Sequence, residues 1–297
     1  RSRGFCADPI LMKTSSRPVL ACGAFYKNTF CLLDGKKAYV SHHIGDLDST
    51  LTLNYYKEEI QKYRTKYSIN PGYVVRDLHP AYPSSLYADE FGIPSLKVQH
   101  HHAHIASVMA EYGLQERVLG IAYDGTGLGS DGKIWGAEFL LTNLKDFQRL
   151  GHLKYVPLPG GDMAIKHPFR TALGFIYPNM HRFSKYLNRL DGNQVKIILK
   201  QIEKKVNTPL SSSMGRLFDA VASIINIKDT VDYEGQAAME LESLILPTDD
   251  YYDYRIERED SRFCIDVSML LDELYSDYVN DIPKGVISAK FHNTVIK

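Results

Sequence analysis

Val98-Gln99-His100-His101-His102-Ala103-His104 and Tyr123-Asp124-Gly125-Thr126-Gly127 are the two stretches from which the rest of the chain can be read. Four of the 11 histidines stand at 100, 101, 102 and 104. The spacing predicts a helix from about His100 to Tyr112, stopped by Gly113. Ile105, Val108, Met109 and Tyr112 share one face, and His101 joins it. His100 and His104 fall together on the shoulder of that face, and His102 has no assigned role. Arg117 to Tyr123 reads as a buried strand that ends on Asp124. A loop with four glycines, 125–132, follows it, and Ile134 to Thr142 returns as a strand. The two stretches are expected to meet across a cleft.

Outward from these, residues 1–16 are polar and read as an irregular linker from an upstream domain. Val19 to Phe25 is a short apolar run, Lys27-Asn28 a bend, and Asp34-Gly35 a hairpin signal between Thr29–Leu33 and Ala38–Ser41. Asp48 to Tyr67 carries apolar residues at helical spacing. Tyr73–Val75 and Ser95–Val98 read as short strands flanking a helix from Ser84 to Phe91. After Leu158-Pro159-Gly160-Gly161-Asp162 the text turns helical, over about 163–177, 181–190, 192–206, 213–226 and 234–245. A hairpin (Tyr251–Glu257, Phe263–Val267) and two helices close the sequence. Strands with intervening helices, a helical block and further strands predict an α/β fold with a helical insertion. The strand–glycine loop–strand device occurs twice, at 19–41 and 117–142.

Composition narrows the function. The chain has 297 residues, 44% hydrophobic and 24% charged, with 35 basic against 35 acidic residues. That balance lacks the electrostatic footprint of a nucleic-acid or membrane-surface binder. Cys6, Cys22, Cys31 and Cys264 are scattered without a Cys-x-x-Cys pair, which points to reduced thiols in a cytoplasmic protein. No run approaches the ~18 apolar residues of a membrane span. The opening on Arg1 without Met and the helical run up to Lys297 lead us to expect a piece of a longer polypeptide.

Imidazoles at i and i+4 suit Zn²⁺ or Fe²⁺, although the same spacing also occurs in ordinary surface or capping histidines. A zincin-type His-Glu-x-x-His is excluded, because His101 follows His100. A third ligand must come from elsewhere, and Asp124 at a strand end is the candidate. Glycines at 125–132 let backbone N–H groups approach phosphate oxygens, or they simply make a hairpin. Lys27 and Asn28 are candidates for a second phosphate contact. Gly160-Gly161-Asp162 and Ser213-Met214-Gly215-Arg216-Leu217-Phe218-Asp219 place small residues and an aspartate at helix starts. Such helices can pinch a base and bind a ribose, and ordinary capping fits them equally well.

Together these segments resemble a known family. The motifs are Lys27-Asn28-Thr29-Phe30, His43-Ile44-Gly45-Asp46-Leu47, Asp77-Leu78-His79-Pro80, Gln99 to His104, Asp124-Gly125-Thr126-Gly127, Trp135-Gly136-Ala137-Glu138, Leu158 to Asp162, Ser213 to Asp219, and Tyr233-Glu234-Gly235-Gln236-Ala237-Ala238. Their order resembles the C-terminal module of the HypF family, the carbamoyltransferases of [NiFe]-hydrogenase maturation. That module is similar to the universal tRNA threonylcarbamoyl transferases.

The resemblance implies an actin-like ATPase fold of two ribonuclease-H-like lobes. The first would span 17–113 with the histidine helix. The second would span 114–297 with the helical insertion and continue beyond Lys297. It implies one divalent metal, zinc or iron, held by His100, His104 and Asp124. ATP or carbamoyl-adenylate would be bound near Lys27, Asn28, Gly125, Thr126, Gly127, Gly161, Asp162, Gly215, Asp219, Glu234 and Gln236. It also implies upstream domains of the same polypeptide that make carbamoyl-adenylate, and a HypE-type partner whose C-terminal cysteine receives the carbamoyl group. An O-carbamoyltransferase acting on a small-molecule hydroxyl, or a non-catalytic nucleotide-binding interaction module, are the other readings.

Overall fold

The computed structural model describes residues 8–297, so the first seven, with Cys6, lie outside the described residues. Two units emerge. One runs through Val118 and takes back Thr142–Phe147; the other holds Leu119–Leu141 and Gln148–Lys297.

The first unit is built on a four-stranded sheet in the order β2-β1-β3-β4: β1 (Ile10–Ala21), β2 (Cys31–Val40), β3 (Tyr73–Asp77) and β4 (Ser95–Val98). β1 and β2 are antiparallel, whereas β1–β3 and β3–β4 are parallel, so the C-terminal ends of three strands open on one side. Two readings change here. The strand begins at Ile10, so 10–16 is not irregular linker. Asp34-Gly35 is no hairpin turn: it sits inside β2, where Gly35 takes φ 57° opposite Ser16 and absorbs a register shift. A glycine in the left-handed region serves a bulge as readily as a turn.

α1 (Thr50–Tyr67) starts on Ser49, whose hydroxyl accepts from the Thr52 amide at 3.1 Å, and ends on Ser68 in the left-handed conformation. α2 (Pro83–Glu90) follows β3, and α3 (His100–Tyr112) follows β4. Leu20, Phe30, Leu32, Tyr56, Ile60 and Val74 make the core between sheet and helices. Burial of each contributes about 1.5–3 kcal/mol.

The second unit holds a seven-stranded sheet. Its strands are β5 (Val118–Leu128), β6 (Ile134–Thr142), β7 (Phe147–Leu153), β8 (Val156–Pro157), β9 (Leu210–Ser211), β10 (Arg255–Glu259) and β11 (Arg262–Asp266). The order is β10-β11-β7-β6-β9-β8, with β5 paired to β6. β7 was not foreseen. β5 is not a buried strand: Leu119, Ile121 and Tyr123 are exposed along one face. It also runs through Gly125 and Gly127, so the expected glycine loop shrinks to the turn at 129–132.

The helices are α4 (Asp162–Lys166), α5 (Pro168–Ile176), α6 (Ser184–Leu187), α7 (Gly192–Glu203), α8 (Met214–Ile224), α9 (Gln236–Glu242), α10 (Ser268–Val279) and α11 (Lys284–Ile296). The helix expected over 163–177 is two, because Pro168 cannot donate into a continuous ladder. The one expected over 181–190 is a 3₁₀ segment, Tyr177–Arg182, followed by the single turn of α6. Leu173, Leu217, Val221, Ile224, Leu270 and Phe291 centre this unit's core. No described helix is long and apolar enough to cross a membrane.

Candidate functional site

α3 forms as the sequence predicts. Gln99 caps it, its side chain accepting from the His102 amide at 2.9 Å, and Gly113 closes it at φ 65°. Its buried face is narrower than expected. His101, His102, Ile105 and Met109 are buried, while Val108 and Tyr112 are exposed. His102 does have a structural role, with Nε2 2.8 Å from the Asn143 carbonyl.

His100 and His104 present their Nε2 atoms to each other at 3.1 Å. Two ligands of a tetrahedral zinc ion stand about 3.3 Å apart. The other nitrogen of His100, Nδ1, lies 2.6 Å from Asp77 Oδ2 at the end of β3. An Nδ1–H donated to that carboxylate fixes the tautomer that turns the Nε2 lone pair outward, which is how metal-ligating histidines are oriented. Asp77 Oδ1 accepts from the His79 amide at 2.8 Å, so the carboxylate is locked on both sides. The Asp77-Leu78-His79-Pro80 motif was the signal for this residue, but its role depends on a partner 23 positions away. The donor set fits a borderline-soft divalent cation.

A cavity of about 320 Å³ opens beside the two histidines, lined by Ala21, Gly23, Thr29, Asp77, His100 and His104 among others. It lies at the C-terminal ends of the parallel strands, where α/β sheets bind ligands. The Lys27-Asn28 bend borders it through Gly23 and Thr29. Lys27 takes φ 47°, and its amide donates to Asp46 Oδ1 at 2.8 Å. Asn28 is buried: its side-chain amide donates to the Cys22 and Ala24 carbonyls, at 3.1 and 2.5 Å. It shapes the bend from inside. Backbone bonds from Asn28 to Gly45 and from Ile44 back to Asn28 give the His43–Leu47 motif its purpose, which is to pin that bend. Gly23 must be glycine, since a Cβ there would stand 2.1 Å from the Thr29 carbonyl.

In the second unit the predicted residues converge on a seam of bare backbone. Ser213 caps α8, accepting from the Arg216 amide at 3.1 Å, while its hydroxyl lies 2.6 Å from the Gly125 carbonyl and 2.9 Å from that of Asp124. A Cβ on Gly215 would be 2.9 Å from Gly125 Cα, and one on Gly136 would be 2.6 Å from the Asp124 carbonyl. These contacts bring the β5 stretch Asp124–Gly125 onto the positive end of a helix. Asp124 Oδ1 accepts from the Gly125 amide at 2.7 Å, and Thr126 and Gly127 continue the strand.

Arg216 and Asp219 are buried and paired at 3.1 Å. Burial pushes the Asp219 carboxyl up to about 6, opposed by Arg216 and reinforced by Glu234. Glu234 reaches the same place: its carboxylate would be 3.4 Å from a Cβ on Gly125. Gln236 is committed locally, accepting from the Asp232 amide and donating to Glu240. Gly161, at φ 54°, and Asp162, the exposed first residue of α4, belong to a turn tied to Asn207.

Two mixed sheets, each with its own core, carry an oriented histidine pair and a glycine seam on a helix N-terminus. This is the Kae1-like carbamoyltransferase architecture of the actin-like ATPase fold, and the family comparisons agree. Residues 14–111 match the HypF Kae1-like domain, and residues 120–297 match the carbamoyltransferase Kae1-like domain, second subdomain. The chain belongs to the HypF family.

It is 38% identical to carbamoyltransferase HypF of a Synechocystis species, over all of this chain and 41% of that protein. It is 43% identical to carbamoyltransferase HypF2 of Cupriavidus necator, over 82% of this chain and 31% of that one. The crystal structure of full-length HypF in its phosphate- and nucleotide-bound form superposes with a TM-score of 0.95. The identity is 52%, covering 97% of this chain and 38% of that chain. HypF of T. kodakarensis gives 0.87 at 34% identity, over 98% of this chain and 40% of that one. The chain thus spans about two fifths or less of these relatives.

Proposed function

We propose that this chain is the carbamoyl-transfer module of a [NiFe]-hydrogenase maturation carbamoyltransferase. In this reading it binds carbamoyl-adenylate, supplied by upstream domains of the same polypeptide, and transfers the carbamoyl group to the C-terminal cysteine of a HypE-type partner. The thiolate sulfur forms a bond to the carbamoyl carbon, the bond from that carbon to the phosphate oxygen breaks, and AMP leaves. The observation that carries the proposal is the Asp77–His100–His104 arrangement in a chain of this family.

His100 and His104, joined by Asp124 of the second unit, would hold one zinc or iron ion. Bound there, the ion supplies Lewis-acid polarisation of an oxygen. The chain's own residues bind and orient. Asp77 keeps His100 in its ligating tautomer. The Lys27 bend and the Gly125-Thr126-Gly127 backbone would face the phosphate. Gly215, Asp219 and Glu234 take the nucleoside, with Gly161 and Asp162 as a further contact. The attacking thiol is expected from outside. Cys22 and Cys264 are buried, and burial pushes the Cys22 thiol up to about 12, so it is not a thiolate at neutral pH.

The test is transfer by the full-length protein to a cysteine-tailed acceptor and, in parallel, to small-molecule hydroxyls, with metal content measured on the same samples. His100→Ala with His104→Ala should lose the metal and transfer while keeping the fold. Wild-type transfer in that variant would refute the metal role. Transfer to hydroxyls in preference to the cysteine tail would move the protein to the O-carbamoyltransferase class.

A further inference from the structure

No step of the proposed transfer touches Glu138, yet it is fully buried and its two oxygens serve three donors. Oε1 accepts from the Ser212 hydroxyl at 2.6 Å and from the Gly136 amide at 3.2 Å; Oε2 accepts from Arg149 Nε at 2.6 Å. Arg149 in turn lies 3.9 Å over the Trp135 ring and donates to the Tyr155 hydroxyl at 2.9 Å. A buried ion pair contributes little net stability, because desolvation offsets the attraction. What it can do is fix the groups it hydrogen-bonds. Here those groups are Gly136, whose missing side chain admits the Asp124 carbonyl, and Ser212, which precedes the cap of α8.

We infer that Glu138 is a positioning residue: through Gly136 and Ser212 it sets the backbone of Asp124–Gly125 against the N-terminus of α8. The inference rests on the transfer reading for its consequence. The seam places both a proposed ligand and the backbone that would face the phosphate, so an error of a fraction of an ångström there lowers the rate without unfolding the chain. It also gives the Trp135-Gly136-Ala137-Glu138 motif a physical meaning. The tryptophan shelves the arginine, the arginine neutralises the glutamate, and the glutamate holds the glycine.

Glu138→Gln alone leaves the buried Arg149 with only its longer ion pair to Asp131, at 3.5 Å, and is expected to destabilise the fold, so the test uses two milder variants in the full-length protein. Ser212→Ala removes one link, and Glu138→Gln with Arg149→Met removes the buried pair together, leaving the partly exposed Asp131 to its bonds from Tyr155 and Trp135. Both should melt within about 3 °C of wild type. In both, the KM for the cysteine-tailed acceptor should be unchanged and kcat about tenfold lower. Ser212→Thr, which keeps the hydroxyl, should return kcat to within about twofold of wild type. Wild-type kcat in both folded variants overturns the inference. If the His100→Ala, His104→Ala protein also transfers normally, the metal role of the proposed function is what fails, and kcat no longer reports on a ligand placed by the seam. The inference is then decided by amide exchange at Gly125 and Thr126, which Ser212→Ala should speed about tenfold if Glu138 sets that backbone and leave unchanged if it does not.

Discussion

In the first unit, His100 is aimed by a carboxylate at the end of β3, His104 by its place one helical turn later, and a 320 Å³ cavity stands beside them. In the second, Asp124 and Gly125 are aimed by contacts that leave no room for a side chain, at Gly136 and Gly215, and by the Ser213 hydroxyl. The first arrangement is adjustable, because side chains held through hydrogen bonds can turn as a ligand arrives. The second is rigid, because moving it means moving a strand against a helix. The difference separates the predicted effects of mutation: a side chain forced into the seam should cost the fold, whereas the histidine pair should fail by losing its ligand.

The largest effect tests the rigid side. Gly136→Ala puts a methyl 2.6 Å from the Asp124 carbonyl and 2.9 Å from Ser213 Cα, with backbone on both sides. We expect a loss of about 3 kcal/mol or more, read by urea denaturation. A loss below about 1 kcal/mol would show the seam to be pliant and erase the contrast.

Asp77→Asn tests the adjustable side. Asparagine keeps the acceptor for the His79 amide and the shape of the site but weakens the hold on His100. Zinc affinity should fall about 10–100-fold, by competition with a chelator, with little change in melting temperature. An unchanged affinity would mean that the carboxylate does not orient the ligand.

Asp219 supplies a test in pH. A carboxyl raised on folding costs stability as pH rises: the cost is absent below about pH 4 and complete above about pH 6. That group should therefore lower the unfolding free energy across this window by up to about 3 kcal/mol. The carbon-13 shift of its carboxyl should titrate near 6. A midpoint below about 4.5 would mean that Arg216 outweighs burial. The smallest effect lies on α3, where Val108→Ser and Tyr112→Ser are expected to change stability by less than about 0.5 kcal/mol, because both side chains are exposed.

Much of this was legible because the deciding interactions are local. The histidine helix was bounded correctly because its cap, its period and Gly113 all lie within 15 residues. β6, with its nearly continuous apolar run, and the α8 start on Ser213 were readable for the same reason. What escaped reading depends on partners far along the chain. β7 reads as polar because Arg149 belongs to it, and nothing near Arg149 reveals that Glu138 and Trp135 will bury it. Asp34-Gly35 announces a positive φ, but only Ser16 across the sheet decides between a turn and a bulge. The apolar face of α3 was placed at the right period and the wrong width, since the neighbours decide how wide a stripe is covered. Asp77 was visible as a motif and silent as a function. Asn28 reads as a candidate phosphate contact or a solvated turn, and its side chain is instead buried on the Cys22 and Ala24 carbonyls.

β5 carries a consequence for anyone who handles this chain in solution. Among the described strands it pairs with β6. Its outward residues Leu119, Ile121 and Tyr123, with Phe139, Ile256 and Ile296, line an apolar hollow of about 340 Å³. A long strand with an oily, exposed face is a template for association with further chains. Concentrated samples should therefore show light scattering that rises with protein concentration, and a lysine in place of Ile121 should suppress it without disturbing the seam a few residues along the same strand.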